Sequence, residues 1–281
     1  MIVRAKRSGN RLLMLAVAGW LWATAPSVYA FKLIPMSLNL EPAGRGANGV
    51  FRVENDSDQE IAVMVSLAKR EMDLNGKESL PPEEDDFSVY PPQMTLGPQK
   101  SQAVRIRWIG DPKPARELAY RIIAEQLPVS LSREGVGSRI NLVVRYIGSI
   151  YVVPNGVKSE VVVDSVAAEK DKEGAWTLVI TLENRGTAHT LLEYSRLQVA
   201  SDGRGIATQT PISVPKGAGE SRVGEKASVD LGSDELKGME GENILAGHKR
   251  RFVLPWPKGL RLGQVQVKFE YGVPPRVDNP R

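Results

Sequence analysis

The feature that most constrains the fold is a long run of alternating side chains at residues 139–154, RINLVVRYIGSIYVVP. Ile140, Leu142, Val144 and Tyr146 fall on one face, and Asn141, Val143 and Arg145 on the other. A period of two belongs to a β-strand, so the run predicts a strand longer than one partner usually covers. Residues 119–128, AYRIIAEQLP, suit a second strand, and the intervening VSLSREGVGS carries charge and two glycines. A hairpin or an extended connection between adjacent sandwich strands is expected there.

The same alternation recurs along the chain. In IAVMVSLAK, Ile61, Val63, Val65 and Leu67 share a face; in the strand ending at Trp108, Val104 and Ile106 join it while Arg105 and Arg107 oppose them. One face of that second strand is core and the other is basic. Trp176, Leu178, Ile180 and Leu182 repeat the pattern later. Between these runs lie turn residues: AGRGANG, DSDQ, the polar REMDLNGKESLPPEEDD, and SDGRG. Many short strands with turns between them predict an all-β fold of immunoglobulin-like sandwiches. Pro35, in LIPMSLNLEP, cannot donate to a ladder and is expected at an edge or a bulge.

With 281 residues, 42% of them hydrophobic, there is material for two such domains. PNGVK at 154–158 reads as the hinge, which divides the chain into 31–156 and 157–274, with a fraying tail at 275–281. Within the second domain, EKDKEG is expected to be a turn and Pro215 to Gly241 a long mobile loop holding one or two short strands. The N-terminus has the form of a secretory signal: Arg4, Lys6, Arg7 and Arg11 precede LLMLAVAGWLWA, and Val28-Tyr29-Ala30 is a small-residue cleavage pattern. The apolar run falls short of the ~20 residues of a membrane span. Residues 1–30 are therefore expected to direct export to the periplasm, with the mature chain starting at Phe31.

Several function classes find no support. The net charge is +4, but part of the excess sits in the first eleven residues, so nucleic acid is not implied. Cysteine is absent, which removes disulfides, thiolate metal sites and Cys nucleophiles. AGRGANG lacks the Lys-Ser/Thr end of a phosphate loop, and no hydrolase elbow or zinc-protease motif occurs. The carboxylates Glu83, Glu84, Asp85 and Asp86 read as a solvated loop, and His189 and His248 as surface residues. No catalytic residue, metal or cofactor is expected.

The assembly VYPPQMTLGPQKSQAVRIRW, then ELAYRIIAEQLP, then the alternating strand ending at Pro154 resembles the N-terminal domain of the PapD-like periplasmic chaperones, which assemble pili with an outer-membrane usher. VITLENRGTAHTLLEYSRLQV is similar to the early strands of their C-terminal domain. The resemblance implies two immunoglobulin-like domains set at an angle. It also implies donor-strand complementation, in which alternate apolar residues of one strand enter the open groove of a pilin subunit and cap it until the usher exchanges the strand. Ile140, Leu142, Val144 and Tyr146 fall at the matching places.

One departure concerns the anchor. Well-studied members hold the subunit's terminal carboxylate with an Arg on the first strand and a Lys on the donor strand. Here the first-strand match falls near Pro35 to Ser37 and Ser149 takes the Lys place, so neither residue is present. That resembles the divergent branches, including archaic or alternative systems, and SREGVGS resembles the short-loop branch. Arg145, Arg121 or Lys32 is expected to substitute. The rival reading is an exported two-domain β-sandwich that adheres or scaffolds through its sheet edges without chaperone activity.

Overall fold

The computed structural model describes residues 31–128, 144–202 and 228–272. Nearly all regular structure in these residues is β, gathered in two sheet-rich lobes as the alternation predicts.

The first lobe opens with β1 (Phe31–Ile34) and β2 (Ser37–Leu40), followed by a single turn of 3-10 helix at Arg45–Ala47 within the expected glycine-rich turn. Then come β3 (Asn48–Asn55), β4 (Ile61–Lys69), β5 (Glu71–Met72), β6 (Glu78–Ser79), β7 (Phe87–Tyr90), β8 (Gln93–Leu96), β9 (Ser101–Trp108), β10 (Leu118–Leu127) and β11 (Arg145–Val152). Two sheets face each other, one in the order β1-β3-β9-β7 and the other β2-β11-β10-β4-β8. The first strand of the chain is thus shared: β1 pairs with β3, and beyond Pro35 β2 pairs in parallel with β11. Proline stands at the crossing between sheets, where no ladder hydrogen bond is asked of it.

Between the sheets lies one apolar core. Val63, Val65, Val104, Ile106, Ile122, Ile150 and Val152 fill it from alternating positions, and Phe87, Trp108 and Tyr120 meet edge to face at one end. Gly148 is required where the corner between β1 and β2 crosses β11. A Cβ there would stand 2.9 Å from Ile122 Cγ2 and 3.1 Å from the Met36 carbonyl oxygen.

The acidic loop differs from expectation. Glu83 is buried, its carboxylate accepting the Asp85 and Asp86 amides and pairing with Lys69 at 3.0 Å. Asp86 accepts the Tyr120 hydroxyl. Satisfied by these donors, a carboxylate can leave water. The polar stretch before it also carries structure, the small hairpin β5–β6, whose two residue pairs stand apart from both sheets.

The second lobe comprises β12 (Val161–Lys170), β13 (Trp176–Asn184), β14 (Thr190–Leu191), β15 (Arg196–Ser201), β16 (Ser228–Leu231), β17 (Asn243–Ile244), β18 (Lys249–Pro255) and β19 (Val265–Glu270). Its sheets run β12-β13-β18 and β16-β15-β19, with the short pair β14-β17 between. β12 takes the first two residues of the expected turn, to Lys170, and Asp171 closes the rest of it by accepting the Glu173 and Ala175 amides. The stretch expected as a mobile loop is in part core: Leu236 and Met239 are fully buried beside Leu178, Ile180 and Leu182.

Both lobes use one device where a long strand ends. Asn55 closes β3 by donating to the Gln59, Leu96 and Gly97 carbonyls. Asn184 closes β13 by donating to Ala188 and Ile244 while accepting from Glu160 and Gly186. A buried amide with all its groups engaged fixes the turn that follows.

Candidate functional site

β11 is the element on which the site is built. Antiparallel pairing with β10 covers its whole length, whereas β2 covers only Ser149 to Val152 on the other side. The Gln126 amide donates to the Val144 carbonyl at 2.9 Å, so even-numbered residues direct their backbone toward β10. Odd-numbered ones point the opposite way: Ser149 donates to Met36 at 2.8 Å and Val153 to Leu40 at 2.7 Å. By that parity Arg145 and Ile147 turn their backbone groups past the end of β2, where no described strand pairs with them. An unpaired edge of this kind is a template for another strand.

Of the four residues expected to enter a subunit groove, Ile140 and Leu142 lie outside the described residues. Val144 and Tyr146 are half-buried against the first core, Tyr146 meeting Phe31 edge to face at 4.9 Å. The face they begin continues through Gly148, Ile150 and Val152 into this domain's own interior.

The three candidate anchors have separate fates. Lys32 lies on β1 beside Asp56 and is largely exposed. Arg145 stands on the open face of β11, opposite Glu125 at 3.5 Å, half in water. Arg121 alone enters a built site. It shares the outer face of the five-stranded sheet with its cross-strand partner Ser149, and its Nη1 donates to the Ser149 hydroxyl. Its Nε and Nη2 donate to Glu78 on β6 at 3.0 and 2.6 Å.

Arg70, which directly follows β4, meets the same carboxylate through Nε at 2.8 Å and Nη2 at 2.6 Å. Its side chain is only 6% exposed. Burial pushes the Glu78 carboxyl up, but the hydrogen bonds and charges of Arg121 and Arg70 outweigh that and hold it below its usual range. Two guanidinium ions on one carboxylate leave one positive charge uncompensated.

Residues of the second lobe close the other side. The Tyr151 hydroxyl accepts from Arg70 Nη1 at 2.8 Å and from Asn243 Nδ2 at 3.0 Å. Its ring stacks on His189, with centroids 3.8 Å apart and planes within 5°. His189, expected at the surface, is instead held in this contact, its Nδ1 2.5 Å from the buried Glu117 carboxylate. Arg250 reaches from β18 to the Met72 sulfur at 2.9 Å and to Glu242 at 2.7 Å, and the Arg251 amide donates to the Leu74 carbonyl at 2.6 Å. The hairpin β5–β6 therefore touches both lobes.

Residues 41–158 match the family model described as the pili and flagellar-assembly chaperone, PapD N-terminal domain. Over those residues the chain is similar to the N-terminal domain of the PapD-like chaperones. Among the described residues no group of three or more His, Asp or Glu side chains could hold a metal, and no helix is long and apolar enough to cross a membrane.

Among solved structures, the CsuC–CsuE chaperone–tip adhesion subunit complex from the archaic Csu pili of Acinetobacter baumannii is 13% identical, with 85% of this chain and 97% of that one covered and a TM-score of 0.51. The E. coli chaperone DraB is 17% identical over 82% of this chain and 86% of its own, with a TM-score of 0.46. The Pseudomonas aeruginosa chaperone CupB2 is 14% identical over 85% and 100%, with a TM-score of 0.41. At these identities the likeness is one of fold. No curated protein matches the chain significantly.

The structure thus gathers, around Ser149, a set that sequence reasoning found only through Arg121 and Ser149. Arg70, Glu78, Tyr151, Asn243 and Arg250 were missed. Tyr151 had a signal, since it shares the odd, non-core parity of β11 with Ser149. Arg70 and Glu78 had none, because each lies just beyond a strand's alternation in polar sequence.

Proposed function

We propose that this chain is a periplasmic chaperone of the PapD-like kind, which caps pilus subunits by donor-strand complementation and delivers them to an outer-membrane usher. Residues 1–30 would direct export, residues 31–156 would carry the capping domain, and 157–274 would form the second wall of the cleft. The subunit would pair with the unpaired edge of β11 and its continuation toward Ile140, with Ile140, Leu142, Val144 and Tyr146 offering their apolar face. A subunit short of a strand exposes a hydrophobic groove and two edges, and one donated strand answers both.

The observation that carries this reading is the surplus positive charge beside Ser149. Arg121 and Arg70, which reach Ser149 and Tyr151 of β11, would stand in for the family's strand Lys, paired guanidinium groups being suited to a carboxylate. They would receive the subunit's terminal carboxylate because two cations share the single carboxylate of Glu78, whereas Lys32 and Arg145, each exposed and matched one to one with Asp56 and Glu125, would not.

The test is coexpression with the pilin encoded beside this chain's gene, followed by copurification. Arg121→Ala is expected to lose most of the captured subunit, and Lys32→Ala and Arg145→Ala to keep it, all three remaining folded by circular dichroism. Full capture by folded Arg121→Ala would overturn the anchor.

A further inference from the structure

Glu78 already does in this chain what a subunit carboxylate would do. Besides the end-on pair of Nη groups, each arginine has a side-on edge, formed by Nε and one Nη, that suits a carboxylate. Both such edges are spent on Glu78: Oε1 accepts Arg70 Nε and Nη2 and Arg121 Nη2, and Oε2 accepts Arg121 Nε. The remaining Nη1 groups are turned to Ser149 and Tyr151 of β11. An arriving carboxylate that takes the side-on edge of either arginine therefore has to displace Glu78.

The carrier of Glu78 is suited to letting go. The hairpin β5–β6 has two residue pairs and belongs to neither sandwich sheet. At its base the Lys69 amide donates to Pro81 and the Glu83 amide to Leu67, which ties the foot of the hairpin to β4. Its tip leans on the second lobe, through Leu74 to the Arg251 amide and through Met72 to Arg250.

We propose that Glu78 is a built-in stand-in for the client's carboxylate, exchanged for it when the client binds. The inference rests on the anchoring role given above to Arg70 and Arg121. In the free chaperone Glu78 keeps two neighbouring guanidinium ions from facing each other unpaired in a half-buried cleft. On binding, a carboxylate at the end of a chain that also pairs along β11 has the additional contacts needed to displace it, and a lone carboxylate does not. Glu78 thereby acts as a selectivity filter, and its release loosens the hairpin from the second lobe.

The first arm of the test needs no client. Thermal unfolding of the full chain is followed in sodium formate and in sodium chloride at equal ionic strength. Wild type is expected to respond equally to both salts. Glu78→Ala should melt several degrees lower and be raised by formate well beyond chloride, and adding Arg121→Ala should abolish that difference. A Glu78→Ala chain that folds yet shows no preference for formate overturns the proposal.

The second arm uses the coexpressed pilin and Glu78→Gln, which keeps the side-chain volume and serves where Glu78→Ala does not fold. With the competing charge gone, capture is expected to tighten by about tenfold, an equilibrium change readable by titration. Weaker or unchanged capture by folded Glu78→Gln, while Arg121→Ala still loses capture, overturns the exchange and spares the anchor. Full capture by Arg121→Ala removes the anchor, and the exchange with it.

Discussion

Glu83 sits in a run of four carboxylates, yet its side chain alone among them is buried, held by two backbone amides and Lys69. Burial pushes its carboxyl up, but those partners prevail and set it below the usual 4.5, as Arg121 and Arg70 do for Glu78. A carboxylate whose folded pKa is depressed stabilises the fold above its unfolded pKa and loses that contribution as pH falls through the folded value. Denaturant unfolding is therefore expected to show stability falling below about pH 4.5, and Glu83→Gln should lower stability at neutral pH while flattening the acid limb. An equally steep limb in the variant would assign the acid response elsewhere. Nothing in the string EEDD singles out Glu83, because the distinction comes from where the loop crosses β4. Arg121 was legible as a candidate, but that it meets Ser149 while Lys32 and Arg145 do not follows only from the β10–β11 register.

At the scale of elements, what was legible is what repeats with period two. Ile61 to Leu67, Val104 to Trp108 and Leu178 to Leu182 keep the faces that the sequence assigns them, since burying one face of a strand leaves no freedom of register. The hairpin β5–β6 escaped, being too short for any period. The parallel pairing of β2 with β11 escaped too, because no local pattern names a partner so far along the chain. The same alternation supports a prediction about the donor face. Leu142→Asp would bring a carboxylate into an apolar groove at a cost of several kcal/mol, so subunit capture should fall sharply while circular dichroism stays that of a folded chain. Arg145→Ala should weaken capture less than Leu142→Asp. Undiminished capture by folded Leu142→Asp would remove donor-strand pairing from the account.

At the scale of the whole molecule, the two lobes meet through polar groups gathered around Tyr151, whose hydroxyl joins Arg70 of the first to Asn243 of the second. Tyr151→Phe should leave both donors without that acceptor, at about 1–3 kcal/mol, with the stacking on His189 retained. Denaturant titration checks this, and a loss well below that range would mean the lobes meet without help from the hydroxyl. Client capture is expected to rest mainly on apolar burial and backbone pairing, with its ionic contact recessed in the cleft. Wild-type affinity for the coexpressed pilin should therefore change less than about tenfold between low and moderate salt, since screening acts most on exposed charges. A steeper dependence would mean that surface charges such as Arg105 and Arg107 carry the binding. The shared first strand also sets a timetable. β1 finds β3 a short way along the chain, but β2 has to wait for β11, whose Ser149 is the partner of Ser37. Closing so long a loop is slow compared with local pairing. A chain emerging N-terminus first can build most of one sheet early, while the seam that finishes the sandwich forms last, with β11.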